Sequence, residues 1–267
     1  NDLLIDSKKY KIKLKNTASN KNKTVNGLNN ISILNSKLLT EYKFKENKLT
    51  FKSLNSQIST NTIDYEGVLN LDPFNLILDI SSKKIDLRKL FNTNSILFEL
   101  IKSGKLFHDN LNIAISLNSP NISNNKILSS LKVNFNAING EINFDKSYIL
   151  SNKIGILKSN SNRLIIDNDS LIFNGDFDLN IKNSDYFFSF FQTSKKFRKP
   201  IKNIFFNFNF NFLENRLEIK NFKIDNKKPG NEVELVLNDF NLNDDQQIGN
   251  LIIFKKLINN LFSVYVG

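Results

Sequence analysis

The chain has 267 residues, with 37 basic against 26 acidic side chains for a formal net charge of +11, and 40% of it is hydrophobic, including 24 Phe. So much apolar material excludes a disordered tail, and no stretch approaches the ~18 uninterrupted apolar residues of a membrane-spanning helix. With no Cys, disulfide frameworks, thiolate nucleophiles and thiolate metal sites are excluded as well.

No Met occurs, not even at position 1, which predicts a segment of a longer precursor. The charge has a plain compositional source, because the sequence is rich in Asn, Lys and Ile, as the products of AT-rich coding DNA are. Its Lys residues are scattered through the polar positions of strands and turns, so nucleic acid is not an expected partner.

Period-two alternation dominates from the start. Residues 10–14, 42–44 and 49–54 alternate, and Asn26-Gly27 has the composition of a tight turn. Ile63, Tyr65, Gly67, Leu69 and Leu71 then share one parity, and residues 76–80 continue the pattern. A break follows. Asp86 caps a turn carrying Leu87, Leu90 and Phe91, and Ser95 opens a helix with Leu97, Leu100 and Ile101 on one side and Gly104 beyond its end. Alternation resumes at Ile113, Ile115 and Leu117, then at Leu131, Val133 and Phe135, with Asn139-Gly140 as a second turn before residues 142–144.

Leu171, Phe173, Gly175, Phe177, Leu179 and Ile181 make the longest alternating run. Ser184 or Asp185 opens a second helical segment, with Phe187, Phe188, Phe190 and Phe191, then the basic residues Lys195, Lys196, Arg198 and Lys199 at its C-terminal end, and Pro200 as a stop. Phe206, Phe208, Phe210 and Phe212 alternate with Asn207, Asn209 and Asn211, so one side of that strand is dry and the other wet. Residues 217–224 and 233–237 alternate in the same way, and a C-terminal helix over residues 245–265 carries Leu251, Ile252, Phe254, Leu257, Ile258, Leu261 and Phe262 as a broad stripe. The fold class this predicts is mainly β: one long, curved and twisted antiparallel sheet, groove-like, with two short helical inserts and a C-terminal amphipathic helix. A short motif, Gly-x-apolar-Asn/Asp-apolar-Asp/Asn, recurs at Gly67, Gly140 and Gly175 and predicts bends at those points.

Catalytic signatures are missing. His108 is the single histidine, lies between Phe107 and Asp109, and has no Gly-x-Ser-x-Gly elsewhere to serve, so a surface loop is its expected place. Asp244-Asp245 falls at a helix start and Asp176/Asp178 on the wet side of a strand, which predicts capping and solvated roles. No Gly-x-x-x-x-Gly-Lys or Gly-x-Gly-x-x-Gly occurs, and neither an enzymatic activity nor a cofactor is expected.

A sheet with one apolar face must cover it, as in a closed sandwich, or use it, as in an open trough for acyl chains. The pattern is compatible with both, and the high Phe count favours the trough. The stretch from Tyr65 to Leu76, with Lys84-Ile85-Asp86-Leu87-Arg88-Lys89-Leu90-Phe91, resembles the AsmA-like proteins of bacterial envelopes. So do Phe188-Ser189-Phe190-Phe191-Gln192-Thr193, Arg198-Lys199-Pro200-Ile201-Lys202-Asn203-Ile204, and Phe222-Lys223-Ile224-Asp225 with the helix behind it. The likeness runs from about residue 60 onward and takes residues 1–267 as a C-terminal β-groove domain of such a protein.

What the resemblance implies is a non-enzymatic periplasmic protein, anchored in the inner membrane through a segment not present here. Its groove would carry phospholipids between membranes and so contribute to outer-membrane assembly. No catalytic or metal-binding residues come with it. The groove-lining candidates are Phe206, Phe208, Phe210, Phe212, Phe177, Leu179, Leu131, Val133, Phe135, Ile113 and Ile115. The expected partners are phospholipid and a membrane. An outer-membrane β-barrel or an adhesin-like structural domain are the competing readings, the first disfavoured by the helical inserts.

Overall fold

A computed structural model describes residues 2–7, 12–33, 36–58, 61–87, 103–167, 170–214, 216–241 and 251–265. The protein is mainly β, with sixteen strands among the described residues, and it divides into two compact units, residues 1–125 with 130–141 and residues 126–129 with 142–267.

The first unit holds β1 (Asp2–Ser7), β2 (Ile12–Lys21), β3 (Thr24–Ile33), β4 (Ser36–Lys45), β5 (Lys48–Ser53), β6 (Ser56–Ile58), β7 (Asn61–Leu71), β8 (Phe74–Ser82), β9 (Asn112–Ser119) and β10 (Ser130–Ile138). Successive strands pair antiparallel, with the short β6 set between β4 and β7. One junction differs from a pure meander: β8 and β9 run parallel, which makes the sheet mixed. Parallel neighbours need a long crossover rather than a hairpin, and the connection from Ser82 to Asn112 supplies it. Most of the expected first helical insert, residues 88–102, lies outside the described residues.

Turn chemistry corrects one expectation. Asn26-Gly27 is no turn; both residues lie inside β3. The hairpin closes instead at Asn22 and Lys23, which take left-handed φ values of 53° and 59°. Asn139-Gly140 does turn, at φ 50° and 75°. Gly27 has a different purpose: a Cβ there would sit inside the ring of Tyr42, its cross-strand partner. Likewise Gly67 lies under Phe51, its partner on β5. Two of the repeated-motif glycines, Gly67 and Gly175, therefore leave room for a neighbouring strand's side chain, whereas Gly140 is a turn residue.

The second unit contains β11 (Glu141–Asn143, starting at the boundary), β12 (Tyr148–Ser151), β13 (Gly155–Asp167), β14 (Ser170–Ile181), α1 (Ser184–Phe191), β15 (Asn203–Asn211), β16 (Arg216–Ile224), α2 (Asn231–Asn241) and α3 (Leu251–Val264). Asn183 caps α1 by accepting from the Tyr186 N–H at 3.1 Å. The helix stops earlier than expected, because Gln192 turns left-handed at φ 61° and its N–H closes back on Phe188 and Ser189. Lys195 to Phe197 then form a separate 3-10 turn, so the basic run does not end α1.

Residues 233–237, expected as a strand, belong to α2. Val233, Val236, Leu237 and Phe240 are spaced i, i+3, i+4, i+7, and that stripe packs on the core. The core joins these three helices to the sheet: Phe187, Phe188, Val233, Leu237, Leu257, Leu261 and Phe262 bury against Ile204, Ile219, Phe222 and Ile224. Phe262 meets Phe187 and Phe188 edge-on, with centroids 5.9 and 5.0 Å apart. Each such ring withdraws enough surface to contribute about 2–3 kcal/mol. At the free edge of β16 the Asn241 side chain acts as a strand substitute, accepting from the Ile219 N–H at 2.8 Å and donating to its carbonyl at 2.9 Å.

Two stability outcomes follow from these contacts. Gly175→Ala places a Cβ against the Asn162 side chain and within 2.9 Å of its Cα, at the bulge where β13 slips past β14; in urea denaturation it costs about 1–3 kcal/mol, whereas Gly230→Ala, with open space around it, stays within about 0.5 kcal/mol. Asn241→Ala leaves both backbone groups of Ile219 without that partner, lowering stability by about 1–3 kcal/mol and speeding amide exchange at Ile219.

Candidate apolar binding faces

In the first unit, strand register stacks apolar side chains into rows. Tyr42, Phe51, Gly67, Leu78, Ile115 and Phe135 lie opposite one another in succession across β4, β5, β7, β8, β9 and β10. Two residues along, Phe44, Leu49, Leu69, Leu76, Ile113 and Ala137 repeat the pattern; on the other side, Tyr65, Ile80, Leu117 and Val133 do so. Opposite residues share a face, so these rows form one apolar surface. Among the described residues no second sheet or helix layer packs across β2 to β9, whose principal contacts are with neighbouring strands. Most of the surface is accordingly half-buried. Ile113 (8% exposed), Phe135 (7%) and Leu131 (1%) are buried, whereas Val133 and Ile115 retain partial exposure.

Polar groups border this surface toward β2 and β3. Asn16 donates to Asn29 at 2.9 Å and to the Tyr42 hydroxyl at 3.0 Å, and the Thr40 and Tyr65 hydroxyls share a hydrogen bond of 2.6 Å. The opposite face is mixed. It carries a shallow concavity of about 980 Å³ whose walls include Glu41, Lys43, Lys52, Glu66, Ile77 and Asp79. There Lys52 pairs with Glu41 at 3.2 Å.

In the second unit β14 and β15 align their aromatic rows. Phe173 faces Phe210, Gly175 faces Phe208, Phe177 faces Phe206, and Leu179 faces Ile204. The rings interlock: Phe177 stacks on Phe206 with centroids 5.5 Å apart and meets Phe208 edge-on at 5.8 Å, while Phe173 reaches Phe208 at 6.0 Å and Phe144 at 5.8 Å. One end of this face is closed, since Leu179 and Phe206 pack against the helical core. Phe210 is buried at 3% exposure, and Phe212 beside it is half-buried. Phe206, Phe208, Phe177 and Leu179 stay half-buried. The wet face is tied by amide bonds: Asn207 donates to Asp176 at 3.0 Å, and Asn203 donates to Asp178.

The sequence-derived candidates thus fall into two sets, Ile113, Ile115, Leu131, Val133 and Phe135 in one unit and Phe177, Leu179, Phe206, Phe208, Phe210 and Phe212 in the other. Side chains of the first unit that belong on the same surface, notably Phe44, Phe51, Leu69, Leu76 and Leu78, were legible as strand residues, but their membership of a shared face comes from register.

His108 is exposed and accepts from the Asn110 N–H at 3.2 Å, a loop role. Asp176 and Asp178 serve as amide acceptors, and Asp244 and Asp245 lie outside the described residues. Among the described residues no cluster of His, Asp and Glu has the makings of a metal site, and no helix is long and apolar enough to cross a membrane. Burial, and secondly the Asp225 carboxylate, push the Tyr265 phenol pKa up. No family model matches the chain, no curated protein matches it, and no solved structure matches its fold.

Proposed function

We propose that the protein is a non-enzymatic lipid carrier whose apolar sheet faces hold the acyl chains of phospholipids. The observation that carries the reading is the first unit's apolar surface, three rows deep and without a second layer among the described residues. Apolar surface that no second layer covers among the described residues is costly in water and marks a binding surface. Acyl chains suit it because the rows offer contact without directional bonds, and each buried methylene contributes about 0.8 kcal/mol. The bordering hydroxyls and amides of Asn16, Asn29, Thr40 and Tyr65 supply hydrogen-bonding partners for ester and headgroup oxygens at one margin. Phe177, Phe206 and Phe208 offer a smaller aromatic surface of the same kind in the second unit.

Phe210, Leu131, Phe135 and Ile113 are buried within these same faces, while Val133, Ile115, Leu179 and Phe212 remain half-buried on them. The periplasmic setting, an inner-membrane anchor outside this segment and a part in outer-membrane assembly belong to the same proposal, and rest on the resemblance to AsmA-like proteins.

Mass spectrometry of organic extracts of the purified protein tests it. Phospholipid is expected well above the level of a control protein expressed alongside. Phe44→Asp with Leu49→Asp, a cross-strand pair on the apolar face, removes most of it. Lys43→Asp with Thr50→Asp, the pair one residue along on the opposite face, leaves it unchanged. Lipid at control level, or equal loss from both pairs in folded protein, overturns the reading.

A further inference from the structure

The second unit carries a surface that the apolar faces do not explain. Residues 182–202 hold Lys182, Lys195, Lys196, Arg198, Lys199 and Lys202 against the single carboxylate of Asp185. In one dimension this reads as a solvated basic run; in the fold it becomes a patch in which cations and aromatic rings alternate. Lys153, from the turn between β12 and β13, reaches over the Tyr186 ring at 5.7 Å. Arg198 folds back onto α1, donating to the Thr193 carbonyl at 2.9 Å and to the Ser189 hydroxyl at 3.4 Å. Lys196 lies over Phe197 at 4.7 Å, Lys199 over Tyr265 at 5.9 Å, and Lys255 of α3 over Phe190 at 5.4 Å. Tyr186 is 51% exposed, and Lys153, Lys195 and Lys196 are exposed with no carboxylate partner among the described residues.

We infer that this patch is a docking surface for an anionic lipid bilayer. Two features select that occupant. The charge is predominantly positive, with Asp185 and Asp225 the carboxylates beside it, and clustered Lys and Arg are drawn to the negative potential of anionic lipids. The exposed Tyr186 ring belongs at the headgroup level, where tyrosine buries an apolar body, while lysine stems extend along the rings toward phosphates. Nucleic acid would use the same cations, but here the lysines lie over the ring faces on which bases stack. Docking goes beyond lipid carriage and stands without it; joined to carriage, it gives the protein a place to load or deliver.

Sedimentation with vesicles tests the surface. The full chain is expected to bind vesicles of phosphatidylcholine with about 30% phosphatidylglycerol, to ignore pure phosphatidylcholine, and to release as salt rises. Lys153→Gln with Lys195→Gln and Lys196→Gln weakens binding by about a hundredfold, and Tyr186→Ser weakens it further at constant charge. A matched set in the first unit, Lys43→Gln, Lys45→Gln and Lys48→Gln, removes the same charge and leaves binding intact. The inference is overturned by absence of binding, by equal binding to neutral vesicles, by equal loss from the two lysine sets, or by tighter binding of a single-stranded RNA through the same three lysines. Co-purified lipid is measured separately, so a protein that carries lipid yet ignores vesicles refutes docking alone.

Discussion

Most of the described strands obey one constraint: a period-two sequence makes one face more apolar than the other, and the apolar face has to lie against something other than water. In the second unit, part of that demand is met inside the molecule. Three helices bring Phe187, Phe188, Val233, Leu237, Leu257, Leu261 and Phe262 onto Ile204, Ile219, Phe222 and Ile224, sealing one end of the β14–β15–β16 face. In the first unit no second layer meets it among the described residues, and most of the apolar side chains stay half-buried. The glycines follow from this. Gly27 and Gly67 have no side chain because Tyr42 and Phe51 occupy the space above them, so aromatic cover replaces what the missing Cβ would have contributed.

The polar faces show the complementary solution. Asn207, Asn203, Asp176 and Asp178 bind one another across β14 and β15, and Lys220, Glu218 and Arg216 form a charged string on β16. Exposed pairs of this kind contribute little stability. They keep the wet face wet and fix which side of the strand faces the core, since a slip of one residue would bury Asn and Asp and expose Phe. Asn241 protects the sheet's last edge at modest energetic cost, and the same residue ties α2 to the strand that it covers.

Strand existence and facing were legible wherever alternation ran long. The Phe206-to-Phe212 and Leu171-to-Ile181 runs needed nothing beyond period two, and the structure pairs them ring to ring. Short patterns misled. Val233-Glu234-Leu235-Val236-Leu237 satisfies an alternating template and a helical one, and Phe240 decides for the helix because it extends the i, i+3, i+4, i+7 stripe. Asn26-Gly27 has turn composition, but its glycine answers to Tyr42, a contact fifteen residues downstream in register and invisible to any local rule. The parallel β8–β9 junction was equally beyond local reading, because chain direction after a long connection leaves no mark on alternation. Among the candidate site residues, alternation identified the face but not the depth: Phe210 and Phe208 are indistinguishable in sequence, and their different burial depends on what packs over each. Of the basic–aromatic patch the Lys195-to-Lys199 run was legible, but not its other members, since Lys153 and Lys255 are brought to Tyr186 and Phe190 by tertiary structure.

The central claim, that the first unit's apolar rows receive acyl chains, is most directly tested by methyl NMR of the protein with a spin-labelled stearate. Leu69, Leu76 and Leu78 methyls should broaden, while those of Val68 and Ile77, adjacent in the same strands but on the opposite face, should stay sharp. Broadening confined to Val68 and Ile77, or spread evenly over both sets, would contradict it.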